Sequence, residues 1–425
     1  MSLIKRFDMI KKPLKEKWFL TPIAYALSFS ATLPRRLKVN KVNMKGLKPP
    51  YLLLCTHHAF IDFKVTTHAI FPHRATYVVA IDGFLKREWL LRNVGAMGKR
   101  KFTPQDTLLF KQLKYSLEKL KKITILYPEA CYSVMGTTAA LPDSLAKMVK
   151  ILKVPVVVLN MHGNFLSQPV WNMGMRKVPL TADMTQIITK DEILELPVEE
   201  INSRIHKAFE YDEFKYQFDN QIKIKDKNRT KGLHKVLYQC ESCGTEFMMD
   251  SAGTEIWCNA CGKRHTQDEY GRLHAHEGET KYPHIPDWYE TQREFTRQEL
   301  INGTYHFEDD VYIESLPNAK GFIPLGNGKL VHTKDGFRLT GQDIDQPLDL
   351  VRETASLYSV HIEFDYQLRS DKVVADAIVL STLDDTYYIY PKNKRDQVTK
   401  LRFAVEEAYK LHKQEEALKL HKTAE

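Results

Sequence analysis

His57 and Asp62 stand five positions apart in the run His57-His58-Ala59-Phe60-Ile61-Asp62, which follows the nearly continuous apolar stretch from Tyr51 to Cys55. An imidazole can take a proton from a hydroxyl. A carboxylate can orient that imidazole and stabilise its protonated form, so the pair suits acyl transfer to an alcohol. Taken alone the pair is weak, because His and Asp at such spacing more often cap a helix or bond backbone. A second group consists of Cys240-Glu241-Ser242-Cys243-Gly244 and Cys258-Asn259-Ala260-Cys261-Gly262, two CxxC knuckles separated by fourteen residues. Four thiolates at this spacing close a tetrahedral Zn²⁺ sphere, which predicts a structural zinc ribbon with no position left for an activated water. Iron is the minor alternative for the same ligands, and His265 nearby is not needed as a fifth.

The elements that must position these residues are legible as patterns. Tyr51 to Cys55, Tyr77 to Ala80, Ile123 to Tyr127 and Val154 to Leu159 read as strands buried on both faces, hence an α/β layer. His57 then lies beyond the carboxyl end of a strand, where open α/β sheets form their sites. Thr103-Pro104-Gln105-Asp106 predicts a helix start running through about Lys122, with Leu109, Leu113, Leu117 and Leu120 as its buried stripe. Val198, Ile201, Ile205 and Phe209 mark a second helix over 197–209. Beyond residue 305 the period changes to two, as in Tyr358, Val360, Ile362 and Phe364, and Tyr387 to Tyr390 follows a turn at Asp384-Asp385. Gly326-Asn327-Gly328 and Asp335-Gly336 read as hairpin turns. A helical stripe of Val398, Leu401, Val405, Ala408 and Leu411 closes the chain, so a small β-barrel plugged by a C-terminal helix is expected.

With 425 residues the chain should form two to three domains. Its formal charge of +9 is concentrated in residues 1–50, which hold twelve Lys and Arg against Asp8 and Glu16. Between the two basic clusters, Trp18 to Pro34 is uncharged and includes Trp18, Phe19, Leu20, Ile23, Tyr25, Leu27 and Phe29. That run is short of the ~20 residues a spanning helix needs, and Pro22 and Pro34 are expected to interrupt or end it. Basic flanks around such a segment suit helices lying in an anionic membrane surface, the alternative being a soluble α-hairpin packed on the catalytic domain. No small-residue cleavage site follows Phe29. Paired CxxC knuckles in a cysteine-poor chain point to a reducing compartment, so a cytoplasmic protein, peripheral on the inner face of the cell membrane, is expected. Basic and aromatic residues are not interleaved around the knuckles, so no nucleic acid is expected as a partner, although a nucleic-acid-binding ribbon remains the less favoured alternative.

The pattern His57-x4-Asp62 after a buried strand resembles the first block of the glycerolphosphate and lysophosphatidate acyltransferase superfamily. Three further blocks follow in order: Gly95-Ala96-Met97-Gly98-Lys99-Arg100-Lys101, then Tyr127-Pro128-Glu129-Ala130-Cys131-Tyr132-Ser133, which is similar to the family's Phe-Pro-Glu-Gly-Thr-Arg-Ser, and Val154-Pro155-Val156-Val157-Val158-Leu159. The resemblance covers about residues 20–215. It selects His57 over His58 and implies His57 as general base, Asp62 as its partner, and direct attack of the acceptor hydroxyl on an acyl thioester, from acyl carrier protein or CoA, without a covalent acyl-enzyme. It also implies acceptor-binding roles for Gly95 and Tyr132, for Lys99, Arg100 and Lys101, whose alternative is a solvated basic loop, and for Glu129, whose alternative is support of its loop. Where the family's third block has an arginine for the acceptor's phosphate this chain has Tyr132, which gives one hydrogen bond but no charged fork. Cys131 is read as a small packing residue rather than a nucleophile.

These readings predict a multi-domain α/β protein. Residues 1–48 form a membrane-associating segment, 49–215 the acyltransferase α/β domain, 216–232 a basic linker, 233–275 the zinc ribbon and 276–304 a connector. Residues 305–425 form a β-rich domain whose outline resembles a pleckstrin-homology-like fold. The expected activity is O-acyl transfer to a lysophospholipid or glycerolipid-type hydroxyl in phospholipid biosynthesis. A lipid-binding scaffold that keeps the fold without turnover is the alternative.

Overall fold

The computed structural model describes residues 4–103, 107–368 and 374–424, and these fall into two compact units. One unit contains the described residues of 8–99 and 105–224; the other contains those of 1–7, 100–104 and 225–425.

The first unit is a mixed α/β layer. In chain order it comprises α1 (Leu20–Thr32), β1 (Lys38–Val42), β2 (Leu52–Cys55), α2 (Asp62–Ala69), β3 (Ala75–Ala80), α3 (Glu88–Asn93), β4 (Ala96–Lys99), α4 (Thr107–Glu118) and β5 (Ile123–Leu126). It continues with α5 (Ser144–Leu152), β6 (Val156–His162), α6 (Asn164–Ser167), β7 (Thr181–Ile188), α7 (Glu192–Glu195), α8 (Val198–Ala208) and α9 (Glu213–Asp219). The seven strands pair in the order β1-β7-β6-β2-β5-β3-β4; β6, β2, β5, β3 and β4 run parallel, and β7 meets β6 antiparallel. Strand alternation explains why the central strands read as unbroken apolar runs. Leu52, Leu54, Val156 and Val158 face Leu113, Leu117, Val149, Ile201 and Ile205 of the helices on one side. Leu53, Cys55, Val157 and Leu159 face Val65, Ala69 and Ile70 on the other.

Several expectations change in detail. The helix foreseen from Thr103 to Lys122 spans Thr107–Glu118, with Leu113 and Leu117 buried; Pro104, Gln105 and Asp106 of its start signal lie outside the described residues. The apolar N-terminal segment forms one α-helix and a 3₁₀ turn rather than several helices. Pro22 does not interrupt α1, because it sits in the first turn where its missing N–H has no intrahelical acceptor to serve. One side of α1 packs on α2, with Phe29 against His68 and Phe71, and Thr32 Oγ1 at 2.7 Å from His68 Nδ1. Trp18, Ile23 and Leu27 remain 84%, 53% and 60% exposed. No helix among the described residues is long and apolar enough to cross a membrane.

The second unit opens with a four-stranded antiparallel sheet: β8 (Met249–Ala252), β9 (Glu255–Cys258), β10 (Arg264–Gln267) and β11 (Leu273–Ala275). After α10 (Ile285–Ile301) come seven antiparallel strands, β12 (Phe307–Ser315), β13 (Ile323–Thr333), β14 (Gly336–Gln342), β15 (Pro347–Glu353), β16 (His361–Gln367), β17 (Val374–Ser381) and β18 (Thr386–Pro391), and then α11 (Val398–Ala424). Their order, β15-β14-β13-β12-β18-β17-β16, leaves β15 and β16 as edges, so the expected barrel does not close by hydrogen bonding. Residues 401–408 of α11 are buried all round, Leu401, Ala404 and Ala408 on one face and Phe403 on another, edge-on to Tyr289 of α10. Asp335-Gly336 makes the β13–β14 turn as expected. Gly326-Asn327-Gly328 does not turn the chain; it lies inside β13, opposite a register shift at Ile313/Glu314, where a side chain at 328 would collide with Thr340 O at 2.4 Å.

Candidate functional site

The loop leaving β2 carries His57, and Asp62 is the first residue of α2. His57 Nδ1 lies 2.9 Å from Asp62 Oδ2, with the His57 side chain 14% exposed and Asp62 fully buried. The same Oδ2 accepts the backbone N–H of His58 at 2.7 Å and of Ala59 at 3.0 Å, while Oδ1 accepts from Asn164 Nδ2 at 2.7 Å. A carboxylate that already accepts from three donors acts as acceptor toward the ring as well, which places the His57 proton on Nδ1 and leaves Nε2 to act as a base. His58 cannot do the same work. It is fully buried, neither ring nitrogen has a hydrogen-bond partner, and burial lowers its pKa so that it stays neutral.

The third block holds the backbone of His57 from both sides. Glu129 Oε2 accepts the His57 N–H at 2.6 Å, and the N–H of Ser133 donates to His57 O at 2.8 Å. Glu129 Oε1 accepts from Tyr211 Oη at 2.7 Å and from Ala139 N at 3.3 Å. Burial pushes the Glu129 carboxyl up to about 7, against the opposing pull of its Tyr211, His57 and Ala139 hydrogen bonds. Tyr127 and Tyr132 both bring their rings to 4.4 Å from the His57 imidazole, and Phe63 lies at 6.2 Å.

This geometry reassigns several residues expected to bind the acceptor. Glu129 is 1% exposed with both oxygens engaged, one of them on the backbone N–H of His57, which is the loop-supporting placement of the two expected for it. Gly95, at φ +94°, is required by the backbone: a Cβ there would lie 3.0 Å from Ala75 O. Lys99 ends β4 in the same unit. Arg100 and Lys101 belong to the second unit and are engaged there. The Arg100 guanidinium is buried among the carbonyls of Leu316, Pro317 and Asp384 and the hydroxyl of Thr386, and burial lowers its pKa to about 10. Lys101 Nζ lies 2.8 Å from His361 Nε2. Tyr132, another expected binding residue, brings its ring against the His57 imidazole. Cys131 is buried.

Sequence reasoning passed over Asn164, Tyr211 and Tyr127 as partners of the site. Asn164 and Tyr211 follow no block and reach it through contacts 102 and 82 positions away. Tyr127 lay inside the third block, where its place beside proline and Glu129 was a usable signal.

In the second unit Cys240, Cys243, Cys258 and Cys261 bring their sulfurs within 4.8 Å of one another. Sγ–Sγ distances of 3.7 Å (Cys240–Cys261) and 3.9 Å (Cys243–Cys258) match the edge of about 3.8 Å that a tetrahedron with Zn–S bonds of about 2.3 Å requires. Gly244 N–H closes on Cys240 O and Gly262 N–H on Cys258 O, the tight turns foreseen after each pair. The four thiolates fit a metal ion such as zinc, and its chemistry there would be structural, because four sulfurs leave no open position. His265 is not turned to the cluster; its Nε2 lies 2.8 Å from Glu241 Oε1.

No protein-family model matches the chain, and no curated protein matches it. Among solved structures it is similar to the 1-acyl-sn-glycerophosphate (LPA) acyltransferase of Thermotoga maritima. That likeness has a TM-score of 0.36 and 10% identity, over 45% of this chain and 78% of the other. It is a partial likeness of fold.

Proposed function

We propose that the chain is a membrane-surface O-acyltransferase that moves a fatty acyl group from a thioester, on acyl carrier protein or CoA, to a lysophospholipid or glycerolipid-type hydroxyl. The observation that carries this reading is the His57 Nδ1 to Asp62 Oδ2 contact of 2.9 Å beyond the carboxyl end of β2, with Asp62 buried and His57 partly open. His57 Nε2 takes the acceptor's hydroxyl proton as the oxygen attacks the thioester carbonyl. The tetrahedral intermediate then expels the thiolate, which recovers the proton from the imidazolium, so an ester and a thiol are formed. Asp62 stabilises the transient imidazolium.

A membrane setting, with anionic lipids as partner, is supported by the exposed Trp18, Phe19, Ile23 and Leu27 along α1 and by the exposed Lys11, Lys12, Lys15 and Lys17 before it. Thiolate ligation of a structural zinc supports a cytosolic face.

The test is transfer of a labelled acyl chain from acyl carrier protein and from CoA to a panel of lysophospholipids, glycerolipids and glycolipids in anionic vesicles. Turnover that depends on His57 is expected. Vesicle binding without transfer to any acceptor would favour a lipid-binding scaffold instead.

A further inference from the structure

Asn164 is fully buried, lies outside every motif, and donates its amide nitrogen to Asp62 Oδ1 at 2.7 Å. A buried amide that donates to a buried carboxylate ties the β6–α6 turn to the start of α2. Its backbone is held firmly. Glu213, buried at the start of α9, accepts Gly163 N–H at 2.6 Å and reaches His162 Nδ1 at 2.9 Å. Gly163 has φ +85°, and a Cβ there would meet Pro179 O at 2.3 Å, so the turn between β6 and α6 accepts no other residue without moving. Ser167 N–H and Oγ both close on Gly163 O, at 2.9 and 2.8 Å.

We infer that Asn164 is a positioning residue for the acyl-transfer reaction: held by the Glu213-pinned turn, its amide fixes the Asp62 carboxylate and so keeps the His57 proton on Nδ1. This rests on the acyltransferase reading for its catalytic consequence, but not for its structural one. Asp62 Oδ2 serves three donors on the side of the β2–α2 loop, and Asn164 is the donor that reaches Oδ1 from β6–α6. Without it Oδ1 loses its donor, the carboxylate is held through Oδ2 alone, and the hydrogen bond that selects the His57 tautomer loosens.

The experiment uses the full chain labelled with ¹⁵N-histidine, the His57 signals being assigned from their loss in His57→Ala. Wild type is expected to carry the neutral-ring proton on Nδ1. Asn164→Leu, which keeps the γ-branched shape and removes the donor, is expected to exchange-broaden or lose the Nδ1–H signal and to lower kcat about tenfold or more with KM nearly unchanged, as loss of supporting hydrogen bonds around a site does elsewhere. A wild-type His57 proton on Nε2 would overturn the inference, as would a folded Asn164→Leu with wild-type kcat and tautomer. If Asn164→Leu does not fold, Asn164→Ala and the wild-type tautomer still decide. Failure of the acyltransferase reading is read separately, by turnover that survives His57→Ala.

Discussion

The first unit holds two histidine–carboxylate pairs of nearly the same build. His57 and Asp62 follow β2, and His162 with Glu213 ends the neighbouring strand β6. In each, Nδ1 stands 2.9 Å from a fully buried carboxylate that also accepts a backbone N–H, and the two imidazoles are 14% and 15% exposed. They differ in what surrounds the rest of the ring. His162 Nε2 faces Asp183 Oδ2 at 3.7 Å, and the ring lies flat on Tyr216 at 4.4 Å. Burial opposes its protonation, but the Glu213 hydrogen bond and the Glu213 and Asp183 charges outweigh burial and raise its pKa. Among the described residues the His57 ring pairs with Asp62 alone, between the rings of Tyr127 and Tyr132. A ring with a carboxylate facing each nitrogen binds its proton more tightly and braces a turn. A ring with one carboxylate keeps its second nitrogen available as a base.

The comparison breaks if the two carboxylates prove interchangeable. Asp62→Asn is expected to lower the acyl-transfer kcat by about 10³–10⁴, the scale seen when an orienting carboxylate is neutralised in a hydrolase triad, whereas Glu213→Gln should cost less than about tenfold. Steady-state rates on one donor and acceptor measure both.

Stability sharpens it next. The Glu129 carboxyl, at about 7 when folded and 4.5 when free, binds its proton more tightly in the native state. Its contribution is therefore fully present below pH 4.5 and is lost as pH rises to about 7, a fall of up to about 3 kcal/mol at 1.36 kcal/mol per unit. Denaturant unfolding across that window should show the slope in wild type and not in Glu129→Gln. A smaller effect is expected at His162. Its raised pKa gives stability that is complete below the unfolded value near 6.5 and fades as pH rises through the folded one, so His162→Phe should remove a decline that wild type shows. In the second unit, chelation of the metal or Cys240→Ser should unfold the four-stranded ribbon, read by loss of protection of the amides of β8 to β11, while leaving the slopes assigned to Glu129 and His162 in place.

How much of this was legible in sequence depended on distance along the chain. His57 and Asp62 belong to one turn, and the cysteines carry their spacing openly, so both groups were found as residues. The apolar strands were found because burial on both faces leaves an unbroken run. Asn164 and Glu213 were invisible because a buried polar contact over 102 or 51 positions leaves no periodic trace. Glu129 was noticed, but its role was left between the acceptor and its loop, since nothing local reveals that its partner is a backbone N–H 72 positions earlier. Gly326-Asn327-Gly328 carries turn composition, yet its glycines answer the close approach of neighbouring backbone across β13. Arg100 was expected at the acceptor or on a solvated loop, although its guanidinium is buried among carbonyls.

The most direct measurement is the acyl-transfer rate of His57→Ala beside His162→Ala in vesicles, with folding of each verified by circular dichroism. The account predicts that His57→Ala loses at least about a thousandfold, because its base is gone, while His162→Ala stays within about tenfold of wild type. Equal losses in the two variants, or turnover that survives in His57→Ala, would contradict it.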